Sequence, residues 1–191
     1  MHIIEQNNRR SYGENRNNAP CSFICRRVLG VRGLRIGVIS DTHGRLAPGR
    51  EAVSLMGDIQ FLIHAGDHYH DALILGQEFQ LPITAVVGNC DPGVNGPKEE
   101  LIEAGGVRIL VTHGHLFRVK SGLLNLYLRA RELGVEMVIF GHTHVPEIEF
   151  YDGVCLFNPG SASRPRHGRA PTFGVLEIEA GKPVPRIINL E

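Results

Sequence analysis

Leu34-Arg35-Ile36-Gly37-Val38-Ile39-Ser40-Asp41-Thr42-His43-Gly44 is an apolar, β-branched run that stops abruptly in metal-ligating side chains. Such a run reads as a buried strand rather than a solvent-facing one. The same grammar returns four times. Ile59–Ala65 runs into Gly66-Asp67, Ile83–Val87 into Gly88-Asn89-Cys90-Asp91, Val107–Thr112 into His113-Gly114-His115, and Met137–Phe140 into Gly141-His142-Thr143-His144. Carboxylates, an amide and imidazoles are thereby delivered to the ends of buried strands, where open α/β sheets build their sites.

Between these runs the period changes. Helices are expected near Arg50–Met56 and Asp71–Phe79, giving a βαβαβ order and hence a parallel sheet. Lys98–Ala104 and Val107–Thr112 flank Gly105-Gly106, a hairpin signal. Ser121–Leu133 carries Leu124, Tyr127, Leu128 and Arg131 at helical spacing, and Gly134 ends it. Beyond Pro146 the pattern is antiparallel β. Glu147–Tyr151 and Val154–Phe157 surround Asp152-Gly153, and Thr172–Ile178 and Pro185–Leu190 supply two further strands.

The 191 residues, 42% apolar and 21% charged, suit one domain with a sizeable core, placed at 34–191. Residues 1–33 lack hydrophobic periodicity and carry six Arg against two Glu. They are expected to form a disordered extension, or to follow a start codon set too early. A transit peptide fits less well, since no clear amphipathic face is present. The formal net charge is zero, so no global basic field points to nucleic acid. No apolar run approaches the ~20 residues of a membrane span. Cys21, Cys25, Cys90 and Cys155 form no disulfide framework, which suits the cytoplasm.

Of ten histidines, eight lie between His43 and His144. Asp41 and His43, like His142 and His144, are two residues apart, a spacing that shares one face of an extended strand end. Read alone, Asp41 is as well explained as a helix cap, Asp67 as a turn residue and Asn89 as a left-handed turn residue beside Gly88. Together they read differently. A carboxylate at the focus of several strands is costly unless a cation neutralises it, which makes Asp67 the natural bridge between two ions. His64, inside a strand, reads as a core or supporting histidine. Ligation by His, Asp and Asn suits divalent ions, with Mn preferred and Fe, Zn, Ni or Co as alternatives.

In this order the five motifs resemble the calcineurin-like metallophosphoesterase superfamily. The Gly88-Asn89-Cys90-Asp91 box and Asn158-Pro159-Gly160-Ser161 are similar to its small bacterial and archaeal phosphodiesterase branch. The resemblance covers about 34–190. It implies a four-layer αββα sandwich of two mixed β-sheets flanked by helices. It also implies one metal held by Asp41, His43, Asp67 and His144, and a second held by Asp67, Asn89, His113 and His142. The activity implied is hydrolysis of a small phosphate ester, a diester first, by hydroxide bridging two ions about 3.5–4 Å apart. Many members of the family carry His where this chain has Cys90, and a neutral thiol is a poor general acid. Asn89, Asp91 and His115 are the residues expected beside the chemistry, Asp91 orienting a neighbour and His115 meeting phosphate or buttressing His113. Arg164 and Arg166 could meet substrate phosphate or stay solvated. Two alternatives share the resemblance: a phosphomonoesterase, and a protein-binding scaffold like the retromer subunit of this fold. A homo-oligomer is compatible with either.

Overall fold

The computed structural model describes residues 26–28 and 33–191. Its elements are β1 (Arg26–Val28), β2 (Leu34–Ile39), α1 (Leu46–Leu55), β3 (Phe61–His64), α2 (Tyr69–Glu78), β4 (Ile83–Ala85), β5 (Glu99–Ala104) and β6 (Val107–Thr112). Then follow α3 (Leu124–Leu133), β7 (Met137–Ile139), β8 (Glu147–Tyr151), β9 (Val154–Asn158), β10 (Thr172–Glu179) and β11 (Lys182–Asn189). Two short 3-10 turns, His115–Phe117 and Val119–Ser121, lead into α3.

The strands make two mixed sheets, ordered β1-β5-β6-β7-β9-β8 and β11-β10-β2-β3-β4. The βαβαβ segment gives the parallel trio β2, β3 and β4. In the other sheet β7 lies parallel to both β6 and β9. That pairing departs from the expectation of a largely antiparallel second half, although β8–β9 and β10–β11 are antiparallel hairpins.

Period-two alternation distributes the core. Ile36 and Val38 of β2, Ile109 and Val111 of β6, and Phe157 of β9 pack between the sheets. Leu62 and Val175 face outward onto Val53 of α1, Met56 just after it, and Leu75 of α2. Leu110 and Val138 face Leu126 and Ala130 of α3. The result is the four-layer αββα sandwich. Gly37 faces α1 at close quarters, for a Cβ there would meet Met56 Sδ at 2.4 Å.

Both early helices begin sooner than their apolar period suggests. The helix expected near Arg50 starts at Leu46, and Pro48 sits in the first turn of α1, where a missing N–H is harmless. At α2, the Tyr69 N–H donates to Asp91 Oδ1 at 2.9 Å, a cap supplied from 22 residues away. The expectation for residues 1–33 lies outside the described residues at 1–25 and 29–32. Arg26–Val28 departs from it, forming an edge strand parallel to β5. Among the described residues no helix is long and apolar enough to cross a membrane.

Candidate metal centre

The C-terminal ends of β2, β3, β4, β6 and β7 converge where the two sheets meet. Asp41 and His43 follow β2, Asp67 follows β3, Asn89 follows β4, His113 follows β6, and His142 and His144 follow β7. The ligand atoms of Asp41, His43, Asp67 and His144 lie within 4.8 Å of one another. Beside them, His113 Nε2 is 3.2 Å from Asp67 Oδ1 and 3.2 Å from Asn89 Oδ1. The His142 ring stacks edge-on to His113, with centroids 5.1 Å apart. Asp67 touches both groups, since its Oδ2 is 3.6 Å from His43 Nε2.

The spacing was legible, but its geometric reading was not. Asp41, His43, Asp67, His142 and His144 all have positive φ, between 48° and 70°. These are not extended strand ends. The chain leaves each strand through left-handed residues that turn the side chains inward, and such backbone persists only where its surroundings fix it. The fixing groups are close by. The Ser161 hydroxyl donates to the Asp41 carbonyl at 2.8 Å, and Ser163 Oγ donates to the Asp41 and Thr42 carbonyls. The Asn158 amide donates to the Gly141 carbonyl at 3.0 Å. Asp71 Oδ2 accepts from Thr42 Oγ1 at 2.7 Å and from the Gly44 N–H at 2.9 Å, bracketing His43. Close approach demands glycine at two positions. A Cβ on Gly88 would lie 2.1 Å from Asp67 Oδ1, and one on Gly141 2.0 Å from Ser40 Oγ.

The donor set fits cations. His113 Nδ1 lies 2.8 Å from the Ala65 carbonyl and His144 Nδ1 2.6 Å from the Arg164 carbonyl. Carbonyls only accept, so each Nδ1 carries the proton and each Nε2 turns to the site. There the neutral His113 ring's lone pair faces other acceptors, Asp67 Oδ1 and Asn89 Oδ1, while His144 Nε2 faces His43 Nε2 at 3.1 Å. Asp41 Oδ1 is buried with no hydrogen bond of adequate geometry, although His144 Nε2 is 3.2 Å away. Such an arrangement needs protons or metal ions between the acceptors.

Without ions, protons fill that role. Burial raises the Asp41 carboxyl, but His144, His113 and the Ser40 hydroxyl outweigh it and hold it below the usual range. Burial also raises Asp67, and the His113 hydrogen bond and charge overcome it to hold the carboxyl well below normal. Burial lowers His113 and His144, yet Asp67 and Asp41 win and raise both. His142 is pulled down to about 4, first by burial and then by the charge of His113.

The remaining expected residues divide by role. Asp91 spends both carboxylate oxygens on backbone N–H groups, of Tyr69 and of Gly88, so it shapes the Asn89 loop. Cys90 gives its N–H to Asp67 Oδ1 at 2.9 Å, and burial followed by Asp67 pushes its exposed thiol up to about 11. It stays neutral. His115, half-buried with its ring 5.3 Å from His113, keeps a buried, unpartnered Nδ1. His64 is fully buried, accepting the Gly66 N–H at Nδ1 and facing Thr42 Oγ1 through Nε2. Sequence reasoning missed Thr42 and Asp71 as braces, and only the acid in the first turn of α2 hinted at the latter.

Residues 34–181 match the model of the calcineurin-like phosphoesterase superfamily domain. The chain belongs to that superfamily. A probable metallophosphoesterase of Bacillus subtilis, YsnB, is 37% identical over 152 residues, covering 76% of this chain and 85% of the relative. Phosphodiesterase MJ0936 of Methanocaldococcus jannaschii is 31% identical, covering 76% and 94%. Among solved structures, a conserved Streptococcus pneumoniae protein described as a predicted phosphoesterase superposes with a TM-score of 0.72 at 28% identity, covering 84% of this chain and 91% of its own. The zinc complex of Vps29 from Entamoeba histolytica superposes at 0.65 with 21% identity, covering 82% and 99%, and shares the fold alone. The chain is thus a metallophosphoesterase, a hydrolase whose family uses divalent metal ions.

Proposed function

We propose that this metallophosphoesterase is a phosphodiesterase whose reaction centre takes two divalent ions. Asp41, His43, Asp67 and His144 would hold one, and Asp67, Asn89, His113 and His142 the other. The observation that carries the reading is the convergence of acceptor atoms around Asp67, which reaches His113 on one side and His43 on the other. When bound, the ions supply a hydroxide nucleophile at neutral pH and neutralise charge on the phosphate. The chain's part is positional. Nδ1–H bonds to the Ala65 and Arg164 carbonyls aim the His113 and His144 rings. The Cys90 N–H steadies Asp67, and Asp91 sets the loop that presents Asn89.

The mixed nitrogen and oxygen donors favour Mn, with Fe, Zn, Ni or Co as alternatives. The free cysteines Cys90 and Cys155 suit a cytoplasmic setting. Every donor comes from one chain, so the reading needs no partner subunit. A complete set of ligand side chains favours catalysis over the scaffold reading. The test is a panel of mono- and diesters after Mn loading, with Asp67→Ala alongside. Turnover of an aryl diester that the substitution abolishes is expected. Wild-type protein that holds two ions and hydrolyses no diester would contradict the proposal.

A further inference from the structure

The mouth of the centre carries arginines without carboxylate partners among the described residues, whereas several arginines elsewhere are paired. On the elements away from it, Arg35 meets Glu177, Arg50 meets Glu78, Arg129 meets Glu99, and Arg186 meets Glu177. The segment Ser163-Arg164-Pro165-Arg166-His167-Gly168-Arg169 puts three arginines and a histidine into seven residues of a chain with zero net charge. All three arginines are exposed, as is Arg45, and among the described residues none has a carboxylate partner.

The segment is built into the centre. Ser163 Oγ donates to the Asp41 and Thr42 carbonyls, and the Arg164 carbonyl accepts from His144 Nδ1 at 2.6 Å. Arg45 reaches the Ser163 carbonyl at 3.4 Å, which brings it to the same rim. The charges reach inward, with Arg164 felt at His43 and Arg166 at His144. Arg164 and Arg166, with Arg45 beside them, thus stand without carboxylate partners among the described residues on the His43/His144 side. A singly charged diester bound at the metal centre leaves them unused.

We propose that this rim is a subsite for a second phosphate group, so that the preferred substrates are phosphate diesters carrying a further phosphate, as in a nucleoside bisphosphate with one of its phosphates esterified a second time. The inference rests on the phosphodiesterase reading. Guanidinium suits the role because its planar fork matches phosphate oxygens and it stays charged at any working pH. Exposed contacts of this kind are individually small, so several acting on one dianion give a preference of about tenfold. Added salt should erode it.

The test compares thymidine 5′-(4-nitrophenyl phosphate) with its 3′-phosphorylated form, on Mn-loaded protein. Both lose the same nitrophenolate as water's oxygen bonds to phosphorus, and they differ only in the remote phosphate. The 3′-phosphorylated ester should show about tenfold higher kcat/KM, expressed in KM, and Arg164→Gln combined with Arg166→Gln should bring the ratio near one. Calorimetric titration with thymidine 3′,5′-bisphosphate against thymidine 5′-monophosphate makes the same comparison without turnover. Equal values for the two substrates, or equal affinities for the two ligands, would overturn the subsite. A bisphosphate preference lost in the arginine variants, with neither ester hydrolysed, would keep the subsite and sink the phosphodiesterase reading.

Discussion

Cys90 stands where the resemblance drawn from the sequence leads to an expectation of His. Its backbone N–H holds Asp67, so the side chain stands beside the metal centre, and its thiol is neutral at working pH. Departure of the alcohol or phenol then depends on that group's own acidity. Aryl diesters with acidic phenols should react much faster than alkyl diesters, and Cys90→His should narrow the gap by up to ~10²-fold through general acid catalysis. A rate series against leaving-group pKa, at equal metal occupancy, reads this directly. A flat wild-type series with chemistry rate-limiting would mean that another acid serves, His115 first. His64 makes a prediction of the other kind. Burial pulls it down to about 4 from an ordinary 6.5, so the fold holds it neutral. A depressed histidine stabilises the fold fully above its unfolded pKa and loses that contribution as pH falls through the window from 6.5 to 4. Between pH 7 and 5 the metal-free protein should lose about 2 kcal/mol through this group. Urea denaturation in chelator should show that loss in wild type and a smaller one in His64→Gln. Identical slopes would show that His64 contributes nothing to the pH dependence.

At the level of elements, most of the fold was legible because period and turn chemistry agreed. Asp152-Gly153 has φ of 43° and 82°, the two left-handed residues that a type I′ hairpin requires. Helix α3 closes at Gly134, as its sequence suggests. What escaped were features set by distant partners: the Asp91 cap on α2, and the left-handed exits after β2, β3 and β7. No local pattern encodes these, because serines and an asparagine from 158–163 hold two of the three in place. One hairpin carries avoidable strain. Ala180-Gly181 joins β10 to β11 with φ of 50° and 76°, and alanine gains nothing from a left-handed position. Ala180→Asn should stabilise the exposed turn by about 1 kcal/mol, raising the urea midpoint without changing the slope. A lowered midpoint would mean that the alanine methyl has a packing role.

For the whole molecule, the centre bridges two sheets. Asp41, His43, Asp67 and Asn89 belong to the five-stranded sheet, while His113, His142 and His144 belong to the six-stranded one. Ions bound among them would tie the sheets together, and binding to the native state would stabilise it. At a hundred times the dissociation constant one such ion adds about 2.7 kcal/mol. For a chain of this size that raises the melting temperature by roughly 5–10 °C. Scanning calorimetry with Mn and with chelator should show it, and coincident transitions would deny the coupling. The seven candidate positions that the sequence singles out all lie just beyond strands, where a sheet concentrates side chains. Their supports are not singled out, since burial and hydrogen bonding assign them.

The claim on which the rest depends is a pair of ions sharing Asp67. Elemental analysis of Mn-loaded, gel-filtered protein, wild type and Asp67→Ala side by side, tests it most directly. Two ions per chain in the wild type, with both lost in the variant, is the predicted result. Fewer than one ion per chain in the wild type, or a content unchanged by the substitution, would contradict it.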